Sequence, residues 1–547
     1  MPGQEQGEVI RSRRMGKSGR SITEPTRVSR PYLTALAVAL ICGVAVYFRL
    51  YDLGGRDLWT DEAWMALAAM RPSAAAALAA RQSTPPLYLL TVWAAVHFWG
   101  HSEAVLRGLS CLFGLSTLFL FWRLSRTLVE VPAALVGLAA VAFSPVMVYY
   151  SKELKQYSAD AFFAVLLLWL AERLLARQGR RGWLALALAG VVGLGFSHAL
   201  AFTLPVVGAV LWFTLPPARR PRLAWVGILW VLAFGAYYFL FFQQDVDPWL
   251  VVYWGQDFPN FSGLVPFFQW LGSALYRYFW YFLGEWGMFW GPLLLAAGLV
   301  AMVRRGHARA LVYLGGPLLL AFGAACLHRY PFMAHYGGNR LMIFSAPVLY
   351  LIVAAGAWAI FAWLWRRRQR WLALALTGVL LVALHPLANL RENLYPLNNR
   401  EEIQPLVTYL EKHLQPHDLV YVYYFAVKPF KYYYHGPATG ICWGRSCVEK
   451  GLNLAAAADG PPQRLWLVAS HIPDLKFMRQ FAADLLGPDW REKACFTRVG
   501  AVLLRFDRQP QAVAAKPSAA PPTLPGSGLP AQSDDTVSGS GPGHPAP

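Results

Sequence analysis

The strongest constraint on this chain is a series of apolar runs, each about 16–24 residues long, recurring between positions 32 and 387. A helix needs about 20 apolar residues to cross the hydrocarbon core of a bilayer. Composition agrees, with 56% of the 547 residues hydrophobic and 14% charged, against roughly 45–50% and 25% in soluble domains. The chain reads as a polytopic α-helical membrane protein.

The net charge of +19 raises nucleic acid as a partner, but its placement points elsewhere. Short basic stretches recur between the runs: "RLSR" (123–126), "RQGRR" (177–181), "ARRPR" (218–222), "RRGHAR" (304–309) and "RRRQR" (366–370). Lys and Arg in short loops mark the cytoplasmic side, so no nucleic acid is expected. Residues 1–31 then form a basic cytoplasmic segment and 32–50 a retained first span. Further spans fall at 104–122, 132–149, 159–176, 183–197, 199–215, 222–242, 289–303, 310–327, 340–364 and 371–387, about eleven in all. This threading holds only if "PLYLLTVWAAVHFWG" (86–100) does not cross. At about 15 residues it is short for a span and suits a helix lying in the interface. The outer loops are therefore long at 51–103 and at the aromatic-rich 243–288.

Residues 388–508 change character, with apolar residues in short groups split by charges. "REEIQPLVTYLEKHL" (400–414) has helical spacing, and "DLVYVYY" (418–424), "RLWLVAS" (464–470) and "AVLLRF" (501–506) read as buried strands. Helix between strands makes a small extracytoplasmic α/β domain. Residues 509–547, rich in Pro, Ala, Ser and Gly, bury too little surface to fold. Cys442 and Cys447 stand close enough to bridge in an oxidising compartment. No zinc-type spacing, Walker loop or dinucleotide fingerprint occurs, and Asp245 with Asp247 is too sparse for a metal site. No cofactor is expected.

Acidic residues gather at the outer ends of the spans. In "DLWTDEAW" (57–64), Asp61 and Glu62 open a predicted helix with Thr60 as its N-cap. Acids suit a helix N-terminus on electrostatic grounds alone. At a membrane boundary, between Trp59 and Trp64, they also have the partial desolvation that raises carboxylate basicity. In "SPVMVYYSKELKQYSAD" (144–160), a helix over 151–160 places Glu153, Tyr157 and Asp160 on one face, flanked by Lys152 and Lys155. Such lysines can snorkel, yet cations on the outer face run against the charge bias and suit an anion such as a lipid phosphate. Arg107, at the start of a span, and Arg340, ending "HRYPFMAHYGGNR" (328–340), present guanidinium forks for phosphate. Tyr88, Tyr336 and His198 complete the candidate substrate contacts, although a lone histidine such as that in "FSHAL" is more often a hydrogen-bonded core residue.

Taken in order, "FRLYDLGGRDLWTDEAW" (48–64), "TPPLYLL" (84–90), "SEAVLRGLS" (102–110) and "YYSKELKQYSADAFF" (149–163) resemble the membrane glycosyltransferases of the GT-C fold, nearest to the protein O-mannosyltransferases and aminoarabinose transferases. The resemblance covers 32–200 in motif and the later spans in topology. It implies a polyprenyl-phosphate sugar as donor, a lipid, glycan or protein as acceptor, and membrane lipids around the spans. It places the site on the extracytoplasmic face of a bacterial inner membrane. It also implies a catalytic carboxylate at Asp61 of the W-x-D-E motif, with a second acid, Glu153 or Asp160, from the next outer loop. Asp61 then acts as base on the acceptor and Glu62 assists. Lys152, Lys155, Arg107 and Arg340 stabilise the departing phosphate in one inverting displacement. A transporter or flippase is the rival class, but such proteins carry ionisable groups near the bilayer midplane, where these spans are largely uncharged.

Overall fold

The computed structural model describes residues 31–383, except 178, 246–247, 286 and 334–337, and residues 401–509, except 438–439 and 445–461. The basic segment up to residue 30, the tail from 510, Asp247, Tyr336 and Cys447 lie outside the described residues.

Helices follow the apolar runs. The first are α1 (Pro31–Leu50), α2 (Thr60–Ala69), α3 (Ala74–Ala79), α4 (Pro86–Trp99), α5 (Glu103–Leu128), α6 (Val131–Phe143), α7 (Pro145–Ser151), α8 (Tyr157–Ala176), α9 (Arg180–Leu194) and α10 (Leu200–Thr214). Then come α11 (Arg220–Leu240), α12 (Pro248–Tyr253), α13 (Leu264–Leu283), α14 (Gly287–Arg304), α15 (Arg309–Cys326), α16 (Ala346–Arg366) and α17 (Arg370–Ala383). Each of the eleven expected segments carries a helix, but not all have full spanning length. Among the described residues, six helices are long and apolar enough to cross a membrane, or seven if α6 and α7, bent by 52°, form one broken span. The bend falls where Pro145 withholds an amide and Ser144 Oγ accepts from Met147 N.

Lipid offers no apolar driving force between helices, so close packing relies on small residues. A Cβ at Gly298 of α14 would stand 1.9 Å from Ile352 O, and one at Gly356 of α16 1.9 Å from Leu294 O. The stretch 243–288, expected as a loop, holds the twenty-residue α13, whose Trp270, Ala274, Tyr278 and Phe282 form a buried stripe at four-residue spacing. The helix α4 buries Tyr88, Leu89, Val92 and Val96 and leaves Phe98 and Trp99 exposed. Its first amides, those of Leu87 and Tyr88, donate to Gly195 O beyond α9 at 2.8 and 3.2 Å.

The C-terminal part contains α18 (Gln404–His413), β1 (Leu419–Val422), α19 (Val427–Tyr433), β2 (Ile441–Trp443), β3 (Arg464–Ser470), α20 (Leu475–Leu486), β4 (Trp490–Arg498) and β5 (Ala501–Arg508). The strands form one sheet in the order β2-β1-β3-β5-β4. The β1–β2 and β1–β3 pairs are parallel, and β5 and β4 join antiparallel. The chain therefore reverses direction across the sheet at β1 and β3, whose carboxyl ends lie side by side. In open α/β sheets that junction forms a crevice. Here it carries a 3₁₀ turn (Tyr424–Ala426) after β1 and His471 after β3, and it faces the first loop of the membrane part. Cys442 on β2 is disulfide-bonded.

Candidate active site

The loop after α1 is organised around one buried ion pair. Arg107, one turn into α5, donates from Nε to Glu62 Oε1 at 2.9 Å and from Nη2 to Glu62 Oε2 at 2.8 Å. Its remaining donors reach the carbonyls of Leu53, Arg56 and Asp57. Both side chains are shut off from solvent. Burial alone would raise the Glu62 carboxyl, but the guanidinium outweighs it and holds the group below its ordinary value. Arg107 thus ties residues 53–62 into one compact turn rather than presenting a fork outward.

The same carboxylate breaks the segment 151–160. A helix continuing past Ser151 would send the Leu154 amide to Tyr150 O. Instead Leu154 N donates to Glu62 Oε1 at 2.7 Å, and Ser158 Oγ takes Tyr150 O at 2.8 Å. The expected helix over 151–160 is therefore interrupted: α7 ends at Ser151 and α8 starts at Tyr157. Glu153 falls in the turn, not on a face shared with Tyr157 and Asp160. Glu153 is fully buried, and Asp160 is buried on α8 with a hydrogen bond to Ser197. Lys152 is buried beside the Tyr51 ring, and burial, helped by Arg56, pushes its ammonium down to about 8.

That turn delivers Lys155 to Asp61. Tyr88 is hydrogen-bonded to Ser110 Oγ at 2.6 Å, and Ser110 Oγ donates to Lys155 O at 3.0 Å, which fixes the backbone there. Lys155 Nζ then lies 3.9 Å from Asp61 Oδ2, and Arg340 Nη2 reaches the same oxygen at 3.4 Å. The Arg340 guanidinium lies 5.4 Å from the Trp59 ring and 5.6 Å from the Tyr157 ring. Its Nε is buried with no hydrogen-bond partner among the described residues. Asp61 is 30% exposed and each cation 13%. Asp61 and Lys155 line a small cleft of about 10 Å³ with Trp64, Met65, Arg81 and Gln82.

Of the residues expected at the site, Asp61, Lys155, Arg340 and Tyr157 come together. Glu62, Arg107 and Tyr88 support them from beneath. Glu153, Asp160 and Lys152 do not line the cleft, and neither do Arg340 and Tyr157, but Glu153 is close enough to Arg340 and Tyr157 to act on both electrostatically. His198 packs against Phe242, with ring centroids 4.3 Å apart. Arg81 was missed. It is a cation in "RQSTPP", on the same face as Lys155, and the charge bias that singled out Lys155 applies to it equally. Among the described residues no group of three or more His, Cys, Asp or Glu converges as a metal site.

A second hollow lies between α10 and α11. It has a volume of about 510 Å³ and is lined by Leu204, Gly208, Trp212, Gly227, Trp230 and Phe234, among other apolar residues.

Residues 83–241 match the family described as dolichyl-phosphate-mannose-protein mannosyltransferase. Among curated proteins none matches the chain. Solved structures do. The structure of ArnT from Cupriavidus metallidurans bound to undecaprenyl phosphate aligns with a TM-score of 0.53 and 15% identity, over 87% of this chain and 98% of that one. Archaeal oligosaccharyltransferase AglB from Archaeoglobus fulgidus, in complex with an inhibitory peptide and a dolichol-phosphate, aligns with a TM-score of 0.50 and 12% identity, over 87% of this chain and 74% of that one. The multi-pass helical part with its small C-terminal sheet thus has the GT-C fold of membrane glycosyltransferases.

Proposed function

We propose that the chain transfers a sugar from a polyprenyl-phosphate donor to an acceptor on the membrane face that carries the C-terminal domain, with Asp61 as the base. One observation carries the reading: a partly exposed carboxylate has two cations beside it, Lys155 at 3.9 Å and Arg340 at 3.4 Å. The acceptor hydroxyl or amine must lose a proton as it attacks, which calls for a positioned base. The departing phosphate must be neutralised, which calls for cations already in place. Among the described residues the buried Arg340 Nε donor has no acceptor, and a phosphate oxygen would supply one. When the donor phosphate takes up Lys155 and Arg340, Asp61 is freed to face the acceptor. Attack from the side opposite the phosphate gives inversion.

Glu62 and Arg107 have structural roles in this scheme, because their charges are spent on each other. The hollow between α10 and α11 accommodates part of the lipid tail. The likeness to a fold solved with undecaprenyl phosphate supports a lipid-phosphate donor. The disulfide at Cys442 supports an oxidising, extracytoplasmic location. The test is transfer by purified protein from a panel of polyprenyl-phosphate sugars, with Asp61→Asn as control. Equal transfer by both proteins refutes the base assignment. Ligand-dependent flux across vesicles without transfer favours a transporter.

A further inference from the structure

Four consecutive residues ahead of Asp61 are held by the C-terminal domain. Asp57 Oδ2 accepts from Gln404 N at 2.8 Å. Leu58 N donates to the Tyr433 hydroxyl at 2.7 Å. The Trp59 ring stacks on His471, with centroids 6.2 Å apart and planes 21° apart. Thr60 N donates to Glu401 Oε2 at 3.2 Å, and Thr60 Oγ1 donates to Phe425 O at 2.7 Å. Of these partners, Phe425 and His471 follow β1 and β3 at the crevice, Gln404 starts α18 with Glu401 just ahead of it, and Tyr433 comes from the end of α19. The crevice in which such sheets ordinarily take a ligand is filled by the protein's own first loop.

Glu401 is the centre of the arrangement. Its carboxylate is buried, with 1% exposure, although it belongs to no helix or strand. A buried carboxylate is costly unless paired. Its partners are the Thr60 amide at 3.2 Å and His471 Nδ1 at 2.8 Å, while the Thr60 hydroxyl, 3.2 Å away, gives its one proton to the nearer Phe425 O. His471 holds a left-handed backbone at φ 56°, an uncommon conformation for a side-chain-bearing residue. The N-terminus of α2 explains the need. Its N-cap is Trp59, which offers no capping oxygen. Thr60, expected to cap, is instead the first helical residue, and Glu401 meets its amide from outside. One residue further on, the Asp61 carboxylate points into the cleft.

We infer that Glu401 is a positioning residue for the reaction: through Thr60 it fixes the first turn of α2 and so aims Asp61 between Lys155 and Arg340. The inference rests on the reading of Asp61 as base. It makes the C-terminal domain part of the catalytic apparatus.

The test uses the full chain in lipid nanodiscs, with variants Glu401→Gln, Thr60→Val, Thr60→Ser, the Glu401→Gln/Thr60→Val pair, and Asp61→Asn. The first readout is amide hydrogen exchange. Glu401→Gln and Thr60→Val are expected to speed exchange across 57–64 by about tenfold or more, with α5 unchanged, and Thr60→Ser to restore protection. Unchanged exchange in Glu401→Gln overturns the proposal, as does equal loosening of α5. The second readout is turnover of whichever polyprenyl-phosphate sugar the wild type transfers best. A slight misplacement of a catalytic group costs up to about 100-fold, so kcat should fall roughly 10–100-fold, with the donor KM held within about threefold. The double variant should be no worse than either single one. Full kcat in a chain whose 57–64 segment has loosened overturns the proposal. Asp61→Asn separates the two claims. Its inactivity with normal exchange supports both, whereas full activity removes the base assignment and leaves the exchange result to decide the Glu401 contact.

Discussion

Arg107 meets Glu62 through two parallel hydrogen bonds, Nε to Oε1 at 2.9 Å and Nη2 to Oε2 at 2.8 Å, in a site closed to solvent. The pair joins α2 to α5, and its carboxylate also stops α7 from running into α8. It is the point from which the geometry of residues 53–62 and 151–157 is set.

Removing one partner leaves the other charge buried and unpaired, which costs about 3–5 kcal/mol. Arg107→Ala and Glu62→Ala should therefore each lower the thermal midpoint sharply, as measured by unfolding in detergent. A Glu62 variant that stays fully stable yet loses turnover would return Glu62 to the chemistry.

Arg340 sits against the Trp59 and Tyr157 rings while reaching Asp61. A lysine cannot reproduce the planar fork or its contacts with the rings. Arg340→Lys should weaken undecaprenyl phosphate binding by about tenfold, taking the cation–π and fork contributions as roughly 1–2 kcal/mol. Lys155→Ala should act in the same direction. Native mass spectrometry or calorimetric titration of each variant measures this, and wild-type affinity in both would remove them from the phosphate site.

Asp57 gives the docked domain a pH dependence. Burial pushes its carboxyl up to about 6; the Gln404 amide opposes this, and Glu402 and Glu103 add to it. The folded state then holds the proton more tightly than the unfolded chain, whose value is near 3.8. Stability from this group is present below that value, falls as pH rises towards about 6, and is level above. The wild type should lose more thermal stability than Asp57→Asn between pH 4 and pH 6.5. Parallel pH profiles for the two proteins would contradict the assignment.

The hollow between α10 and α11 has room at two glycines. A Cβ at Gly208 or Gly227 meets nothing within 4 Å. Gly208→Phe should fill the space without distorting the helices. The expected result is undecaprenyl phosphate binding weakened about tenfold or more, with the thermal midpoint held. Unchanged binding would place the tail elsewhere.

Much of the frame was legible because membrane helices and basic loops obey coarse rules. The apolar runs located the helices, and the shortness that set 86–100 apart returns in the fourteen-residue α4. The charge bias marked Lys152 and Lys155; Lys155 meets Asp61, whereas Lys152 is buried beside Tyr51, and Arg340, marked by its guanidinium fork at the mouth of a span, meets Asp61 too. The break at 152–156 was not legible, since its cause is a carboxylate 92 residues away. The strand β4 escaped because "WREKACFTR" lies at the sheet edge with its charges exposed. Glu401 escaped because nothing around it in sequence marks it; its meaning comes from Thr60, Phe425 and His471. Local pattern reveals elements, whereas this site is built from contacts between distant ones.

That distance bears on how the protein is made. Thr60 and Glu401 are 341 residues apart, and Asp61 and Arg340 are 279 apart. At about 5–20 residues per second, roughly 20–70 s of synthesis separates the first loop from the carboxylate that holds it. Throughout that interval the loop has its Arg107 anchor but no partner for the start of α2. Asp61 is therefore held at the start of α2 only once residue 401 has been made, after the helices α1 to α17 have all been synthesised.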